Sequence, residues 1–292
     1  MATYRLSAFA DEAAKDLAGQ ILALKRNKIS FIELRGLESG PIDLQSDRTV
    51  KEVARTLSGE GIGSSAVGSR LGKTEITKPF LPSLESLKRL CEICHLLSAD
   101  RIRMFSYYIP DGEKPGDYRN EVLERVASLA DYAASQGVTL FHENESKIYG
   151  ELPGEVLERH EKIPALGGVY DPSNYRMADA DLDFAMDKVM PHIGYLHIKD
   201  CTADHVIVPA GEGDGRLEEM ILRHNELFEK ESFLTLEPHL KAFAGYGDID
   251  KHQLKNKHTF NSSDESFDFA VNALKGLLTK AGFTEGEEGW TK

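Results

Sequence analysis

Four residues combine the types and the settings that hold a divalent cation: Glu143, Asp171, His197 and Glu237. Each lies at or near the end of its own short apolar run, in VTLFHENES, GGVYDPSN, YLHIKD and FLTLEPH. An apolar run that stops in a packet of polar groups is how a parallel α/β strand presents chemistry at its carboxyl end. One imidazole with three carboxylates is an oxygen-rich donor set. It suits Mn²⁺, Mg²⁺ or Co²⁺ and leaves coordination positions for substrate oxygens. Any one of the four alone reads as an ion-paired carboxylate or a core histidine. Four together, each on its own strand end, read as a site.

The segments that must position them alternate. Strands are expected at Tyr4 to Phe9, residues 30–36, GSSAVGS near 63–69, Arg101 onward, Val138 to Phe141, Gly167 to Tyr170, Ile193 to Ile198 and Phe233 to Leu236. Between them lie amphipathic stretches with helical spacing, such as Leu17, Ile21, Leu22, Leu24 and Val122, Val126, Leu129, Ala133. Asp11 is read as the cap of the first helix and Asp47 as the opening of the second. Regular βα alternation implies a parallel sheet with right-handed crossovers. About eight units in 292 residues make a closed (β/α)₈ barrel over 1–292 the expectation. An open doubly wound sheet is the alternative, but no G-x-G-x-x-G follows the first strand. The stretch at about 241–265 is too long for a turn. It is read as a lid, a contact between subunits in a homo-oligomer, or an insertion. The final GFTEGEEGWTK is expected to fray.

A formal net charge of -13 argues against nucleic acid or an anionic membrane as partner, since both call for a basic face. No apolar run is long enough to span a bilayer, and the N-terminus has no basic stretch followed by an apolar core. Three cysteines do not make a disulfide framework. A cytoplasmic setting and a small-molecule substrate are the expectation.

The chain resembles the xylose-isomerase-like sugar isomerases and epimerases, which include ketose 3-epimerases and inosose dehydratases. The resemblance rests on SAFADE, IELRG, GSRLGK, IRMFSYY, TLFHENE, YDPSN, LHIKD with PAGEGDG, and TLEPH, and so spans nearly the whole length. It implies a TIM barrel in which Glu143, Asp171, His197 and Glu237 hold one divalent metal, foremost Mn²⁺, with Mg²⁺, Co²⁺ or Zn²⁺ as alternatives. It also implies that Glu143 and Glu237 are the acid/base pair. In such chemistry a carboxylate removes a proton next to a carbonyl, and a divalent ion stabilises the enediolate that results. Two departures from the ketose 3-epimerase pattern stand out. Asn174 replaces a histidine three residues after Asp171, and Ala203 replaces an arginine past His197. The substrate is therefore kept as a sugar or keto-sugar. A dehydratase of the inosose type and an endonuclease IV-like repair hydrolase are the alternatives. The second calls for more histidines and a basic groove.

Further substrate contacts are expected from Asn174, Lys199, Arg103, Lys73 and His239. Glu33 and Arg35 are read either as contacts to sugar hydroxyls or as salt-bridge partners at the barrel mouth. Glycines 211, 213 and 215 make PAGEGDG a turn that could cradle a phosphate, although its two acids oppose one.

Overall fold

In the computed structural model, residues 1–242 and 255–292 are described. Eight parallel strands form the curled sheet: β1 Thr3–Ala8, β2 Phe31–Leu34, β3 Gly63–Gly68, β4 Arg101–Met104, β5 Thr139–Glu143, β6 Gly167–Tyr170, β7 Ile193–Ile198 and β8 Glu231–Leu236. Ladders run without a break from β2 through β8 and on to β1. The expected α/β barrel is thus observed, and β6 and β7 have the bounds read from the sequence.

Helices cover the outside: α1 Leu17–Arg26, α2 Asp47–Gly59, α3 Leu81–Leu97, α4 Arg119–Ser135, α5 Pro153–Lys162, the short α6 Pro172–Met177, α7 Leu217–Leu227 and α8 Ser263–Lys280. Each long helix buries one stripe. In α2 it is Val50, Val53 and Leu57, and in α8 it is Phe267, Val271, Leu274 and Leu278. Fully burying such a side chain contributes about 1.5–3 kcal/mol, so the stripes account for where the helices sit. Among the described residues no helix is long and apolar enough to cross a membrane.

Alternation along each strand stacks the barrel interior in layers. Phe31, Phe141 and Phe233 lie lowest, with Phe31 against Phe233 and Phe141 against Tyr195. Gly167 and Gly194 leave room for Phe141, because a Cβ at either would lie 2.5 Å from its ring. Two residues further along the strands come Glu33, Arg103, Glu143, Tyr195 and Thr235. Another two bring Arg35, Phe105, Asp171, His197 and Glu237. Polarity therefore rises toward the carboxyl ends.

The structure departs from the sequence reading at two places. The cap of α1 is Asp16, which accepts a hydrogen bond from Gly19 N at 2.9 Å, whereas Asp11 faces Arg35. The C-terminal residues do not fray. Thr284–Gly286 and Gly289–Thr291 form a hairpin whose Trp290 pairs with Tyr4 of β1 and is 5% exposed. A buried indole outweighs the acidic composition around it. Of the long loop expected at about 241–265, residues 243–254 lie outside the described residues. Its far flank is anchored by Asn256 Nδ2 on His239 O at 3.2 Å.

Candidate metal centre and active site

Register brings the four ligand candidates together over two adjacent layers. Val169 pairs with Tyr195 and Tyr170 with Leu196, so Asp171 stands beside His197. His197 pairs with Thr235, two residues before Glu237. On β5, Glu143 pairs with Val169, two residues before Asp171. Glu143, Asp171, His197 and Glu237 are all buried and offer ligand atoms within 4.8 Å of one another. His197 Nδ1 lies 3.1 Å from Glu143 Oε1 and 3.3 Å from Glu237 Oε2.

These residues fit a divalent cation. Asp171 Oδ2 and Glu237 Oε2 are buried and accept no well-aligned hydrogen bond, their near neighbours being the Lys199 ammonium and the His197 ring. Three carboxylates and one imidazole converging on one point form a donor set for a hard ion. The surroundings hold the carboxylates ready. Burial alone would push Glu143 up, but the His197 imidazole and the Arg103 guanidinium hold it below the usual range. Glu237 is held well below it by Lys199, His197 and His239, again against burial. Burial does carry Asp171 up to about 6, against the pull of Lys199.

The other expected residues fall into groups. Lys199 Nζ sits 2.9 Å from Asp171 Oδ2 and 3.9 Å from Glu237 Oε2. Arg103 Nε is 3.3 Å from Glu143 Oε2. Asn174 Nδ2 reaches Asn144 O at 2.9 Å and Glu143 Oε1 at 3.4 Å. His239 Nε2 lies 3.5 Å from both Glu237 Oε1 and Glu12 Oε1. Lys73 pairs with Glu145 at 2.9 Å and lines a cavity of about 520 Å³ with Asp43, Arg70 and Tyr108.

Glu33 and Arg35 turn inward. Arg35 Nη1 donates to Glu237 Oε1 at 2.9 Å while Nε and Nη2 donate to Asp11, which is the salt-bridge reading of this residue. Glu33 is 0% exposed, underneath His197, so its side chain does not open onto the mouth as a sugar contact would.

Several partners were not read from the sequence. Glu12 accepts from His239 N at 2.8 Å, and burial lifts its carboxyl to about 7. Asn144 clamps β5 to β6 by a reciprocal pair with the Asp171 backbone, 2.9 Å each way. The glycine turn is not open to a phosphate. Asp200 Oδ2 already accepts from Gly211 N and Gly213 N, and Oδ1 from Gly215 N and Cys201 N. The adjacency of Asn144 to Glu143 was available as a signal. The reach of Asp200 across more than ten residues was not.

A sequence model described as xylose isomerase-like TIM barrel matches residues 21–233. Comparison with curated proteins gave no match. Among solved structures, an IOLI protein with a bound zinc atom has a TM-score of 0.75 at 13% identity, over 95% of this chain and 99% of that one. L-ribulose 3-epimerase has a TM-score of 0.72 at 16% identity, over 96% of each chain. The probable 3-DHS dehydratase AsbF of Bacillus anthracis has a TM-score of 0.70 at 16% identity, over 94% of this chain and 98% of that one. At such identities the likeness speaks to fold. The family match covers most of the chain, and it shows that this protein belongs to the xylose isomerase-like TIM barrel family.

Proposed function

We propose that the protein is a metal-dependent isomerase or epimerase of a sugar or keto-sugar, working by proton transfer next to a carbonyl. The observation that carries this reading is the convergence of Glu143, Asp171, His197 and Glu237 within 4.8 Å at four successive strand ends. A divalent cation held there, Mn²⁺ foremost, would act as a Lewis acid toward carbonyl and hydroxyl oxygens and so acidify the neighbouring C–H.

The remaining work belongs to the chain. Glu143 and Glu237 come from β5 and β8 and approach His197 Nδ1 from different strands. Neighbouring cations favour the ionised form of both, so either can accept the carbon-bound proton; for inversion the opposite one must enter the cycle protonated and leave it ionised. Transfer by two carboxylates on opposite faces of the substrate inverts the carbon, and transfer by one on a single face isomerises the sugar. Arg35 steadies Glu237 and Arg103 steadies Glu143, so neither carboxylate is free to swing. Burial of all four ligand candidates excludes bulk water from the transferred proton. The acidic surface, with its formal charge of -13, suits a small substrate rather than nucleic acid.

Loss of water is the second reading, and Lys199 favours it. Its ammonium, 3.9 Å from Glu237 Oε2, sets a proton donor beside the base, where it could protonate a departing hydroxyl β to the carbonyl. One experiment separates the two. Mn²⁺-loaded protein is incubated in D₂O with ketoses, keto-glycosides and inososes, and products are followed by NMR. Deuterium at one carbon next to a carbonyl, with an epimer or isomer appearing, supports the first reading. An unsaturated or deoxy product moves the assignment to a dehydratase. No exchange with any substrate while metal is bound rejects proton transfer for that panel.

A further inference from the structure

His197 has two ring nitrogens, and the site treats them differently. Nδ1 faces Glu143 and Glu237 at 3.1 and 3.3 Å. Nε2 points the other way, 3.3 Å from Glu33 Oε2. Glu33 is completely buried and is itself tied down: its Oε1 accepts from Tyr195 OH at 3.2 Å and lies 3.8 Å from Arg103 Nε. Phe9 meets the imidazole edge-on at 5.3 Å between ring centres, so the ring is wedged as well as bonded.

A neutral imidazole carries one N–H and one lone pair, and whichever nitrogen holds the hydrogen cannot bind metal. Carboxylates face both nitrogens, but a cation held among Glu143, Asp171 and Glu237 would take the place of a proton on Nδ1, while Glu33 would keep the hydrogen on Nε2 and so leave the Nδ1 lone pair to the metal. We propose that Glu33 is a positioning residue for the metal centre. It fixes the tautomer and ring plane of His197 so that Nδ1 is the ligand atom, with Tyr195 holding Glu33 in turn. This rests on the metal-centre reading of the four convergent residues and is independent of which sugar is turned over. It also explains a carboxylate that does not open onto the mouth. Outer carboxylates of this kind typically change metal affinity by about 10–100-fold when removed.

Co²⁺ serves as the probe. Its affinity is measured by titration calorimetry, its site by visible absorption, and the ligand N–H by paramagnetically shifted proton NMR in H₂O and D₂O. In the unaltered protein one shifted, solvent-exchangeable N–H resonance is expected, protected by its bond to Glu33. In Glu33→Gln that resonance should move and exchange faster, the absorption bands should shift, and Co²⁺ affinity should fall about 10–100-fold. The melting temperature of the metal-free protein should stay close to the original, which separates positioning from a loss of fold. Tyr195→Phe, which loosens only Glu33 Oε1, should give a smaller shift in the same direction. Should Glu33→Gln not fold, Tyr195→Phe carries the test. Unchanged resonance, bands and affinity in whichever variant is folded would overturn the proposal. Unaltered protein that binds no Co²⁺ would overturn the metal centre together with it.

Discussion

The two ends of the barrel solve opposite problems. At the carboxyl ends, carboxylates crowd together: Glu143, Asp171 and Glu237 converge with cations from Arg35, Arg103 and Lys199 around them, and some oxygens have no hydrogen bond. At the amino ends, the deeply buried polar groups are neutral and bonded, while the charged ones are partly exposed and either paired, as Arg5 with Glu231, or stacked, as Arg101 over Phe141 and Phe233. Tyr4 OH lies 2.8 Å from His224 Nδ1 and 3.2 Å from Ile221 O, His224 Nε2 meets Ile193 O at 3.2 Å, and Asn225 Nδ2 meets Ala2 O at 3.2 Å. The C-terminal hairpin closes over that end through Trp290. Unsatisfied charge is costly in a dry interior, so its concentration at the carboxyl ends marks where it is used for binding. Damage to the upper end should therefore change binding and turnover more than folding, and damage to the lower end should do the reverse.

The largest expected effect is at the upper end. Glu143→Gln and Glu237→Gln should each lower substrate–solvent deuterium exchange by at least about 10³-fold, the middle of the range general acid–base groups contribute. Urea unfolding of the metal-free variants should shift by about 1–3 kcal/mol, because Gln keeps an acceptor oxygen but leaves the buried Arg35 or Arg103 charge less neutralised. A variant that loses exchange only in proportion to its folded fraction would erase the distinction between the ends. The mirror-image change is Trp290→Ala, which empties a buried site against Tyr4. It should cost about 3–5 kcal/mol in urea unfolding, as large aromatic truncations do, while Co²⁺ affinity of the folded protein stays within about twofold.

Asp200 sharpens the comparison, since it is an acid that follows the ligand strand β7 yet behaves like a residue of the lower end. Its carboxylate takes four backbone N–H groups. Asp200→Asn keeps one acceptor oxygen and sets an NH₂ against donors, so a loss of about 2–3 kcal/mol is expected. Metal affinity should be unchanged. A metal-binding defect in this variant would place Asp200 in the centre instead.

What could be read from the sequence divides along the same lines. The ligand candidates were visible because each ends a run such as GVYD or FLTLE, where period-two burial stops and a carboxylate begins. The strand bounds of β6 and β7 followed from the same runs. The partners were hidden because they are distant. Asp11 looked like a helix cap, and only its proximity to Arg35, 24 residues on, shows otherwise. Glu33 and Arg35 sit two residues apart on one strand face, so they point the same way, and nothing local tells the mouth from the floor beneath His197. The hairpin at 284–291 was masked by its acidic composition, because a single indole and a tight glycine turn decide its fate.

The smallest predicted effect tests whether the lower end is neutral as well as saturated. Burial pushes the His224 imidazole down to about 4. Its Nε2–H is directed to Ile193 O, and its Nδ1 stands against the Tyr4 hydroxyl, so a second proton would convert an acceptor into a competing donor. Between pH 6.5, where a free imidazole titrates, and about 4, the unfolded chain binds a proton that the folded chain refuses. Stability from this group is therefore complete above pH 6.5 and is lost as pH falls toward 4. Between pH 7 and pH 5.5 the loss should be about 1 kcal/mol from His224. Urea unfolding of His224→Gln over the same interval should show a slope shallower by that amount. Since the site lies at the far end of the barrel, Co²⁺ affinity at pH 7 should be the same in both proteins. Parallel slopes would mean that His224 carries a proton in the folded state, and the lower end would then hold a buried charge much as the upper end does.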